Sequence, residues 1–487
     1  LRSWLRCRRK AWLDRHGDVN QRRWTAHRNL LLDDQQRSFV ALLPHKPGHG
    51  VAACAAGEDG VVGLRLKGAG PSGERVEAHP PLLLRVAGQS RWGSFAYQPV
   101  LARQGRRITR EHQLPLALMG HLLEAYQASP VPELLVLGGG GRRLERERIR
   151  LTSGLRKQLS EALRKLKADL ERPQPPSLAA DRRKCTLCSW RESCSRVAAA
   201  DGHLSEVSGI GAKRRDMLQE LGIHGLNDLA SANPERLAVE MERFGEQHGD
   251  VARALVAQAM AQRDGLVERL DGTPALPELQ GAPGVLLYDI ESDPDARHDF
   301  LHGFLRLPRQ SDGRWDLAAA TYHPLLVMAE HGEQRSWLRL QRLLSRYDGW
   351  PILHYGETET LSLRRLAQRQ GASDAQLRRL KRRLVDVHAR IRSHWRLPLG
   401  SYGLKSVAAW RGFHWSQPGV DGARALLWWR QWLGEGPKRR GSRHGLAWIF
   451  QYNQDDCRAT WAVAEWLLKE DHLLKSGPVL DQPTAGR

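Results

Sequence analysis

The chain has 487 residues, with 75 lysines and arginines against 54 aspartates and glutamates, which gives a formal net charge of +21. This length predicts two to four domains and leaves room for more than one hydrophobic core. The excess of cations favours a polyanionic partner, nucleic acid first, because each neutralised phosphate releases counterions and adds to affinity. The sequence has no apolar run of about 18 residues and no signal-peptide pattern, so we predict a cytoplasmic protein without a membrane partner.

The first region, residues 1–200, alternates helix and strand patterns. The predicted elements, in chain order, are a basic helix at 4–15, strands at 80–86 and 97–102, a helix at 113–126, a strand at 134–137 and a helix at 152–170. A proline-rich stretch at 172–176 ends the last helix, because proline cannot donate a backbone hydrogen bond. Alternating strands and helices predict an α/β domain.

Two further regions and a tail follow. Residues 201–272 show short helical patterns punctuated by glycines, and residues 273–283 form a linker rich in glycine and proline. Residues 284–475 again alternate strand and helix patterns, and residues 476–487 have the composition of a disordered tail. The chain is therefore predicted to be an α/β multidomain protein with a small helical domain near its centre.

Four of the six cysteines have a spacing typical of a metal site. Cys185, Cys188 and Cys194 form a C-x2-C-x5-C run, and Cys7 supplies a fourth thiolate from far upstream. Four thiolates suit either a structural zinc ion or a [4Fe–4S] cluster, and the spacing alone favours zinc. Six cysteines are too few for a disulfide scaffold in a chain of this length, and the two others fit no ligand spacing.

Residues 3–13, Ser-Trp-Leu-Arg-Cys-Arg-Arg-Lys-Ala-Trp-Leu, together with the C-x2-C-x5-C run resemble the iron–sulfur branch of the RecB-like, or PD-(D/E)xK, nucleases. This resemblance implies a [4Fe–4S] cluster on Cys7, Cys185, Cys188 and Cys194, with zinc as the alternative. In that branch the cluster joins the N-terminal helix to the C-terminal end of the nuclease core. Closing so long a loop lowers the entropy of the unfolded chain, so the cluster is expected to be mainly structural.

The same resemblance implies that the RecB-like domain is degenerate. Pro81 stands where the family's first aspartate is expected, Arg103 replaces the lysine of the acid-x-Lys strand, and residues 78–110 contain no aspartate or glutamate. Catalytic Mg²⁺ needs hard oxygen ligands. We therefore predict a nuclease fold that has lost cleavage and kept nucleic-acid binding, unless Glu74 or Glu77 supplies the missing acid.

The glycine-punctuated segment Val-Ser-Gly-Ile-Gly-Ala-Lys-Arg-Arg at 207–215 resembles a helix-hairpin-helix motif. The resemblance implies that Gly209 and Gly211 form a tight turn whose backbone amides face a phosphate oxygen at a helix N-terminus. Lys213 and Arg214 would add charge to the same contact, which positions a strand without reading its sequence. The alternative is a plain helical linker.

Two acidic motifs in the third region are typical of a metal site. Asp289 and Glu291 end a short apolar run that predicts a buried strand, and residues two apart on a strand project from the same face. Far downstream, Tyr452 and Asp456 stand four apart, so a helix would place both on one face. Paired carboxylates from the two motifs could share divalent cations.

Residues 284–470 resemble the RNase H-like DEDD exonucleases, and Tyr452-x3-Asp456 is similar to the tyrosine subclass, called DEDDy. The other segments that carry the resemblance are Asp289-x-Glu291, 300–305, 351–359, 384–387 and 401–407. Glu359 takes the place of the usual third aspartate. The resemblance implies two Mg²⁺ or Mn²⁺ ions held by four carboxylates, with Tyr452 orienting the attacking water; the four are Asp289, Glu291, Glu359 and Asp456.

Several of these residues have a second interpretation. Glu359 could be a solvated acid at a helix start, and Asp455 could replace its neighbour Asp456 as a metal ligand. Asp386 is expected to support the fold or cap a helix, and His354 is expected to lie in the core.

Two functions are compatible with these patterns. The first is a metal-dependent 3′ to 5′ exonuclease that acts on DNA, or else on RNA, while the N-terminal regions hold the strand. The second is a non-catalytic nucleic-acid-binding or scaffold protein with two inactive nuclease-like domains, with a helicase as a candidate partner. The complete first and last acidic motifs favour the exonuclease.

Overall fold

The computed structural model describes residues 1–103, 107–138, 144–179, 182–294, 298–328, 332–435 and 442–476. The chain divides into two compact units, Leu1–Val197 and Ala198–Arg487. The tail predicted at 476–487 lies, beyond Ser476, outside the described residues. Within the described ranges, no helix is both long enough and apolar enough to cross a membrane.

The first unit has a mixed α/β fold. Its helices are α1 (Arg2–Arg6), α2 (Arg8–His16), α3 (Ala26–Leu42), α4 (Gly50–Ala56), α5 (Arg110–Gln127), α6 (Ser153–Leu170) and α7 (Arg191–Ala200). Its strands are β1 (Gly48–His49), β2 (Gly60–Val62), β3 (Leu66–Ala69), β4 (Arg75–Ala78), β5 (Leu82–Ser90), β6 (Gly93–Arg103), β7 (Glu133–Gly138) and β8 (Glu145–Arg150). Each predicted strand of this region overlaps an observed one.

Six strands of this unit form one sheet in the order β1-β2-β5-β6-β7-β8, and β3 and β4 form a separate hairpin. The connection from β6 to the parallel strand β7 runs through α5, as a parallel crossover requires. Apolar residues on one face of this helix and of the sheet make the core, for example Leu83, Leu101, Leu114, Leu123 and Leu134.

The basic N-terminal helix predicted at 4–15 is two helices, because the chain leaves helical geometry at Cys7 (φ −161°, ψ 118°). The Cys7 Sγ then caps α2 by accepting a hydrogen bond from the Lys10 amide at 3.4 Å. The break places this thiol at the junction of α1 and α2 rather than on a helix face.

Hydrogen bonds tie the two N-terminal helices to the far end of the same unit. The Trp4 indole donates to Asp169 at 2.7 Å, and the Trp12 indole donates to the Arg172 carbonyl at 2.9 Å. The Trp190 indole donates to Asp14 at 2.8 Å. Polar contacts therefore hold residues 1–16 against 169–190, independently of any metal.

The second unit begins with small helices around their own core. These are α8 (Ala212–Glu220), α9 (Leu226–Ala230), α10 (Pro234–Glu242), α11 (Glu246–Gly249) and α12 (Ala252–Asp264). Leu218, Leu229, Leu237 and Leu255 are among the buried residues that join them. This part of the chain is helical, as its pattern predicted.

The rest of the second unit is α/β. The strands are β9 (Glu268–Arg269), β10 (Gly284–Asp293), β11 (His298–Pro308), β12 (Thr321–Leu326), β13 (Ile352–His354), β14 (Leu384–Asp386) and β15 (Trp395–Arg396). The helices are α13 (Gly332–Arg346), α14 (Glu357–Arg369), α15 (Asp374–Arg383), α16 (Val387–His394), α17 (Leu404–Trp410), α18 (Gly422–Glu435) and α19 (Ser442–Ser476).

Five of these strands form a sheet in the order β12-β11-β10-β13-β14, and β9 pairs with β15 apart from it. Strand β11 runs antiparallel to both of its neighbours, β10 and β12, whereas β13 is parallel to β10 and β14 is parallel to β13. Helices cover both faces of the sheet, so alternate residues of β10 are buried in different cores. Val285 and Leu287 pack in the core that contains residues of α19, and Leu286 and Tyr288 pack in the core that contains residues of α13 and α14.

The linker segment predicted at 273–283 packs into the core of this α/β part. Ala275, Leu276 and Leu279 are buried there. The Asp471 carboxylate on α19 accepts hydrogen bonds from the Ala275 amide at 2.9 Å and the Leu276 amide at 3.2 Å. These contacts anchor the start of β10, the strand that carries the first acidic motif.

Candidate active site in the second unit

Three carboxylates converge where β10 passes α19. Asp289 and Glu291 lie two apart on β10, and Asp456 lies on α19. Each contributes an oxygen to a group whose members all lie within 4.8 Å of one another, and this is the one such group of three or more possible metal ligands in the described part of the chain. The fold therefore brings together three of the four carboxylates that the sequence predicted as metal ligands.

Burial and mutual repulsion make this cluster electrostatically unfavourable without a counter-charge. Desolvation, followed by the nearby Asp456 charge, raises the pKa of Asp289 and that of Glu291 well above their usual ranges. Desolvation also raises the pKa of Asp456, although hydrogen bonding from Trp415 and the charge of Lys405 oppose that shift. Two buried carboxylates and one half-buried carboxylate at this separation fit the hard oxygen ligands that Mg²⁺ and Mn²⁺ prefer.

Glu359 lies in the first turn of α14 and is buried, with 8% of its surface exposed, so it is not the solvated acid of the alternative interpretation. It is outside the close group of three, although its charge contributes to the raised pKa of Asp289. Burial, with the charges of Asp386 and Asp456, raises the pKa of Glu359 to about 7. Its Oε2 accepts no hydrogen bond from any described residue, which leaves a buried oxygen available to a cation.

Tyr452 lies one helical turn before Asp456 and is buried, and desolvation, followed by the charge of Asp456, raises the pKa of its phenol well above the usual range. Its phenol therefore points into the cluster. The Lys405 ammonium lies 5.1 Å from the centre of the Tyr452 ring and donates to the Val420 carbonyl at 2.5 Å. This lysine supplies positive charge beside Glu291 and Asp456.

Asn453, which the sequence analysis did not single out, holds the first aspartate in place. Its amide nitrogen donates to Asp289 Oδ2 at 2.6 Å, and its Oδ1 accepts from the Tyr322 hydroxyl at 2.8 Å. Trp415, also missed, donates its indole hydrogen to Asp456 Oδ1 at 2.7 Å. A polar residue directly after the motif tyrosine was the one sequence signal for Asn453, and nothing local marked Trp415.

The approach of Asn453 depends on Gly303, the residue opposite Asp289 in the β10–β11 register. A Cβ at Gly303 would stand 1.6 Å from Asn453 Oδ1 and 2.8 Å from the Tyr322 hydroxyl. The strand therefore needs a glycine here so that the amide can reach the aspartate.

We expect Gly303→Ala to lower the free energy of unfolding by about 1–3 kcal/mol, the usual cost of overpacking a core. Asn453 must also release Asp289, so metal-dependent activity should fall at least about tenfold. Chemical denaturation and an activity assay measure the two effects. The matched control is Gly434→Ala, because an added Cβ there has no atom of a described residue within 4 Å; an equal loss in both variants would contradict this account.

The neighbouring polar residues have structural partners. Asp455 accepts hydrogen bonds from the Ser416 amide at 2.9 Å and the Ser416 hydroxyl at 2.6 Å, so it does not replace Asp456 in the cluster. Asp386 caps α16 and accepts from the Gly356 amide at 3.0 Å, as expected. His354 is buried, with Nδ1 at 2.8 Å from the Gly356 carbonyl and Nε2 at 2.9 Å from the Thr360 hydroxyl.

In the first unit, the four predicted cysteines line one cavity of about 60 Å³. Desolvation raises the pKa of Cys185 and that of Cys194, and the other three cysteine sulfurs contribute to the shift at Cys185. Basic residues line the same cavity and favour an anionic thiolate assembly; they are Arg6, Arg9, Lys10, Arg182 and Arg191. The fold has thus brought Cys7 to the C-x2-C-x5-C run.

The strands predicted to carry the missing RecB-like acids offer no comparable metal site. Arg103 at the end of β6 is buried and forms ion pairs with Glu145, at 2.8 Å, and with Glu147 on β8. Glu77 is paired with Arg65 and His79 on the β3–β4 side of this unit. Within the described residues of the first unit, no three candidate ligands lie within 4.8 Å of one another.

The residues predicted to contact phosphate lie around the start of α8. Gly209 has a positive φ of 91°, and Gly211 is the N-cap residue of α8. Lys213 is exposed. Arg214, however, donates from its guanidinium to the Gly209 carbonyl at 2.7 Å, so it braces the turn. The geometry suits a hairpin, with Lys213 as the available cation.

Comparison with known proteins gives one family. A search of the curated proteins found no match. Residues 286–468 match the family model RNase_H_2, described as RNase_H superfamily. This range runs from within β10 through most of α19 and includes all five residues of the predicted catalytic set. The C-terminal part of the chain is therefore an RNase H-like domain, of the kind found in nuclease-type nucleic-acid hydrolases.

Proposed function

We propose that this protein is a metal-dependent 3′ to 5′ exonuclease that acts through the RNase H-like domain. The observation that carries the proposal is the convergence of Asp289, Glu291 and Asp456 within 4.8 Å inside that domain. A purely structural role would leave three closely spaced, mutually repelling carboxylates, two of them buried, which proteins rarely tolerate outside functional sites.

The residues present fit a two-metal site. Asp289, Glu291 and Asp456 would hold the cations. The buried Oε2 of Glu359, which has no hydrogen-bond partner among the described residues, would complete the ligand set. Bound Mg²⁺ or Mn²⁺ activates water and stabilises the leaving oxygen of a phosphodiester.

The surrounding side chains have assigned roles in this proposal. Tyr452 orients the attacking water through its phenol, as in the tyrosine subclass that the motif resembles. Asn453 fixes the rotamer of Asp289, and Trp415 fixes that of Asp456. Lys405, whose charge acts on Asp456, would contact a phosphate oxygen of the substrate.

The remaining parts are proposed to hold the substrate. The first unit is a degenerate RecB-like domain without cleavage activity, and the glycine turn before α8 is a helix-hairpin-helix contact to backbone phosphates. The net charge of +21 supports a nucleic-acid partner, with DNA favoured over RNA. A helicase that delivers unwound strands is a compatible partner in the cytoplasm.

The four cysteines are proposed to bind a structural [4Fe–4S] cluster. The resemblance of residues 3–13 and of the C-x2-C-x5-C run to the iron–sulfur branch supports this proposal, together with the one cavity that all four cysteines line. Zinc is the alternative that metal analysis would detect.

The polarity of cleavage is tested with linear single strands labelled at either end. With a 5′ label, a 3′ to 5′ exonuclease produces a descending ladder, and with a 3′ label it releases a labelled mononucleotide at once. A circular strand has no end and should remain intact. Cutting of the circle, or first release of the 5′ label, would overturn the proposed reaction.

One observation supports the alternative scaffold function: the strands that would carry the acids of a RecB-like nuclease lack them. It predicts strand binding with no Mn²⁺-dependent loss of label on either DNA or RNA. The same labelled strands therefore distinguish the two functions.

A further inference from the structure

Helix α13 carries a row of arginines on its outward face. They follow one another at intervals of four, three and four residues, which keeps side chains on one side of a helix; they are Arg335, Arg339, Arg342 and Arg346. All four are exposed. On the opposite face, Trp337 and Leu340 pack in the same core as Tyr288 of β10. These four side chains, the arginine stripe, therefore face solvent on the side of the sheet away from the carboxylate cluster.

The acids next to the two ends of α13 are paired with arginines of other helices. Glu333 accepts hydrogen bonds from Arg369 of α14 at 2.7 and 2.9 Å. Asp348 forms an ion pair with Arg379 of α15. In the described part of the chain, no carboxylate forms an ion pair with any arginine of the stripe. The positive charge of the stripe is therefore not compensated by the acids beside it.

The sequence around the stripe concentrates the charge of the whole chain. Residues 332–383 hold twelve arginines and lysines against five aspartates and glutamates. This surplus of seven is a third of the net charge of +21. A local excess of this size produces a positive potential that attracts polyanions.

Further cationic side chains continue the stripe onto the sheet. The guanidinium of Arg306, on β11, lies 5.5 Å from the centre of the Tyr347 ring, and that of Arg346 lies 5.8 Å from the same centre. Desolvation, followed by the charges of these two arginines, lowers the pKa of His323 on the edge strand β12. The positive potential therefore extends from α13 to β11 and β12.

The phosphate backbone of a duplex fits the dimensions and chemistry of this surface. From Arg335 to Arg346 the helix rises about 16 Å. One strand of a duplex carries a phosphate about every 3.4 Å along its axis, so the stripe spans about five phosphates. Guanidinium groups bind phosphate oxygens through paired hydrogen bonds. A membrane surface would also need several exposed apolar side chains, and Leu338 is the one exposed large apolar residue of α13, whose residues are all described.

We propose that the arginine stripe binds the phosphate backbone of a nucleic-acid duplex at a surface separate from the catalytic site. Contacts to phosphates carry no sequence information, so this binding is independent of sequence. The stripe and the carboxylate cluster lie on opposite faces of the sheet, so the phosphates bound here are not those of the cleaved bond. The binding does not depend on the proposed exonuclease activity.

The probe is a short, labelled DNA duplex closed by a hairpin loop at each end, which offers no 3′ end to the catalytic site. Its binding to the full-length chain is measured by fluorescence anisotropy over a range of salt concentrations, without divalent cations. Arg339→Gln combined with Arg342→Gln should weaken binding about tenfold or more at about 0.1 M salt. The slope of log K against log salt should fall in magnitude by about 1.8, because each phosphate contact contributes about 0.9. An unchanged slope would contradict the proposal.

The matched control combines Arg236→Gln with Lys469→Gln, which removes the same formal charge from the same unit. Their side chains are 81% and 69% exposed, and each pairs with an acid on its own helix. The control should change the Kd less than about twofold, because charges more than about 10 Å from the phosphates are screened at about 0.1 M salt. Equal weakening by the two pairs of substitutions would show that net charge alone attracts the duplex, and the proposal would be wrong.

All these side chains are exposed, so both double variants should melt within about 2 °C of the wild type. Vesicles containing phosphatidylserine and soluble polyglutamate test the other polyanions. If the stripe substitutions weakened binding to either of these and left duplex binding unchanged, the surface would serve that partner instead. Because the duplex has no end and no metal is present, the result is independent of whether the carboxylate cluster cleaves a strand.

Discussion

Asp456→Asn should lower metal-dependent nuclease activity by about 10³-fold or more. The substitution removes one of three converging ligands and corresponds to a loss of roughly 4 kcal/mol of transition-state stabilisation. The rate is measured on a labelled single strand at saturating Mn²⁺.

The matched control is the neighbouring acid, Asp455→Asn. Asp455 is bonded to Ser416 rather than to the cluster, so its loss should reduce stability and leave activity within about fivefold. If Asp455→Asn removed activity and Asp456→Asn did not, the assignment of the metal ligand would be wrong.

The same cluster predicts how stability depends on pH. In the unfolded chain these carboxyl groups have pKa values near 4, and each has a higher pKa when folded, reaching about 7 for Glu359. The folded protein therefore holds protons that the unfolded chain has lost. The free energy of unfolding without metal should fall as pH rises from about 4 through 7.

A divalent cation takes the place of those protons. Millimolar Mn²⁺ should therefore raise the melting temperature more at pH 8 than at pH 5, and this difference should shrink in Asp456→Asn. Metal-free Asp456→Asn should melt above the wild type at pH 8, since one repelling charge is gone. Identical Mn²⁺ effects in both proteins would contradict a metal site here.

The second large effect concerns the cysteine cavity of the first unit. Cys188→Ala should lower the iron content from about four atoms per chain to less than one and remove the visible absorption of an anaerobic preparation. Because the cluster would close a very long loop, the first unit should also lose several kcal/mol of stability.

Cys54→Ala is the control for that experiment. Cys54 is fully buried away from the cavity, and burial raises the pKa of its thiol to about 11, so it fits no ligand role. This variant should keep its iron. A colourless wild-type protein with one zinc per chain would show that the cluster assignment is wrong.

The metal cluster could be predicted from sequence because both halves lie on regular elements. A period of two placed Asp289 and Glu291 on one strand face, and a period of nearly four placed Tyr452 and Asp456 on one helix face. Periodicity cannot predict that β10 packs against α19. The family resemblance provided that part of the prediction.

The residues that support the cluster could not be predicted in the same way. Trp415 reaches Asp456 from a loop. Asn453 can reach Asp289 only because Gly303, on the neighbouring strand, has no side chain. Neither relation has a local pattern. At Cys7 the sequence pattern was misleading. The helical period predicted one continuous helix, whereas the chain leaves helical geometry at this residue and places its thiol at the bend.

The most direct test of the account is Mn²⁺-dependent cleavage by the wild type and Asp289→Asn, purified anaerobically in parallel. A 5′-labelled single strand is followed in single-turnover conditions while Mn²⁺ is titrated and then removed with a chelator. We predict that the wild-type rate rises with Mn²⁺ and stops on chelation, while Asp289→Asn stays at background. Equal rates in the two proteins, or cleavage that survives chelation, would contradict the assignment of this carboxylate cluster as the active site.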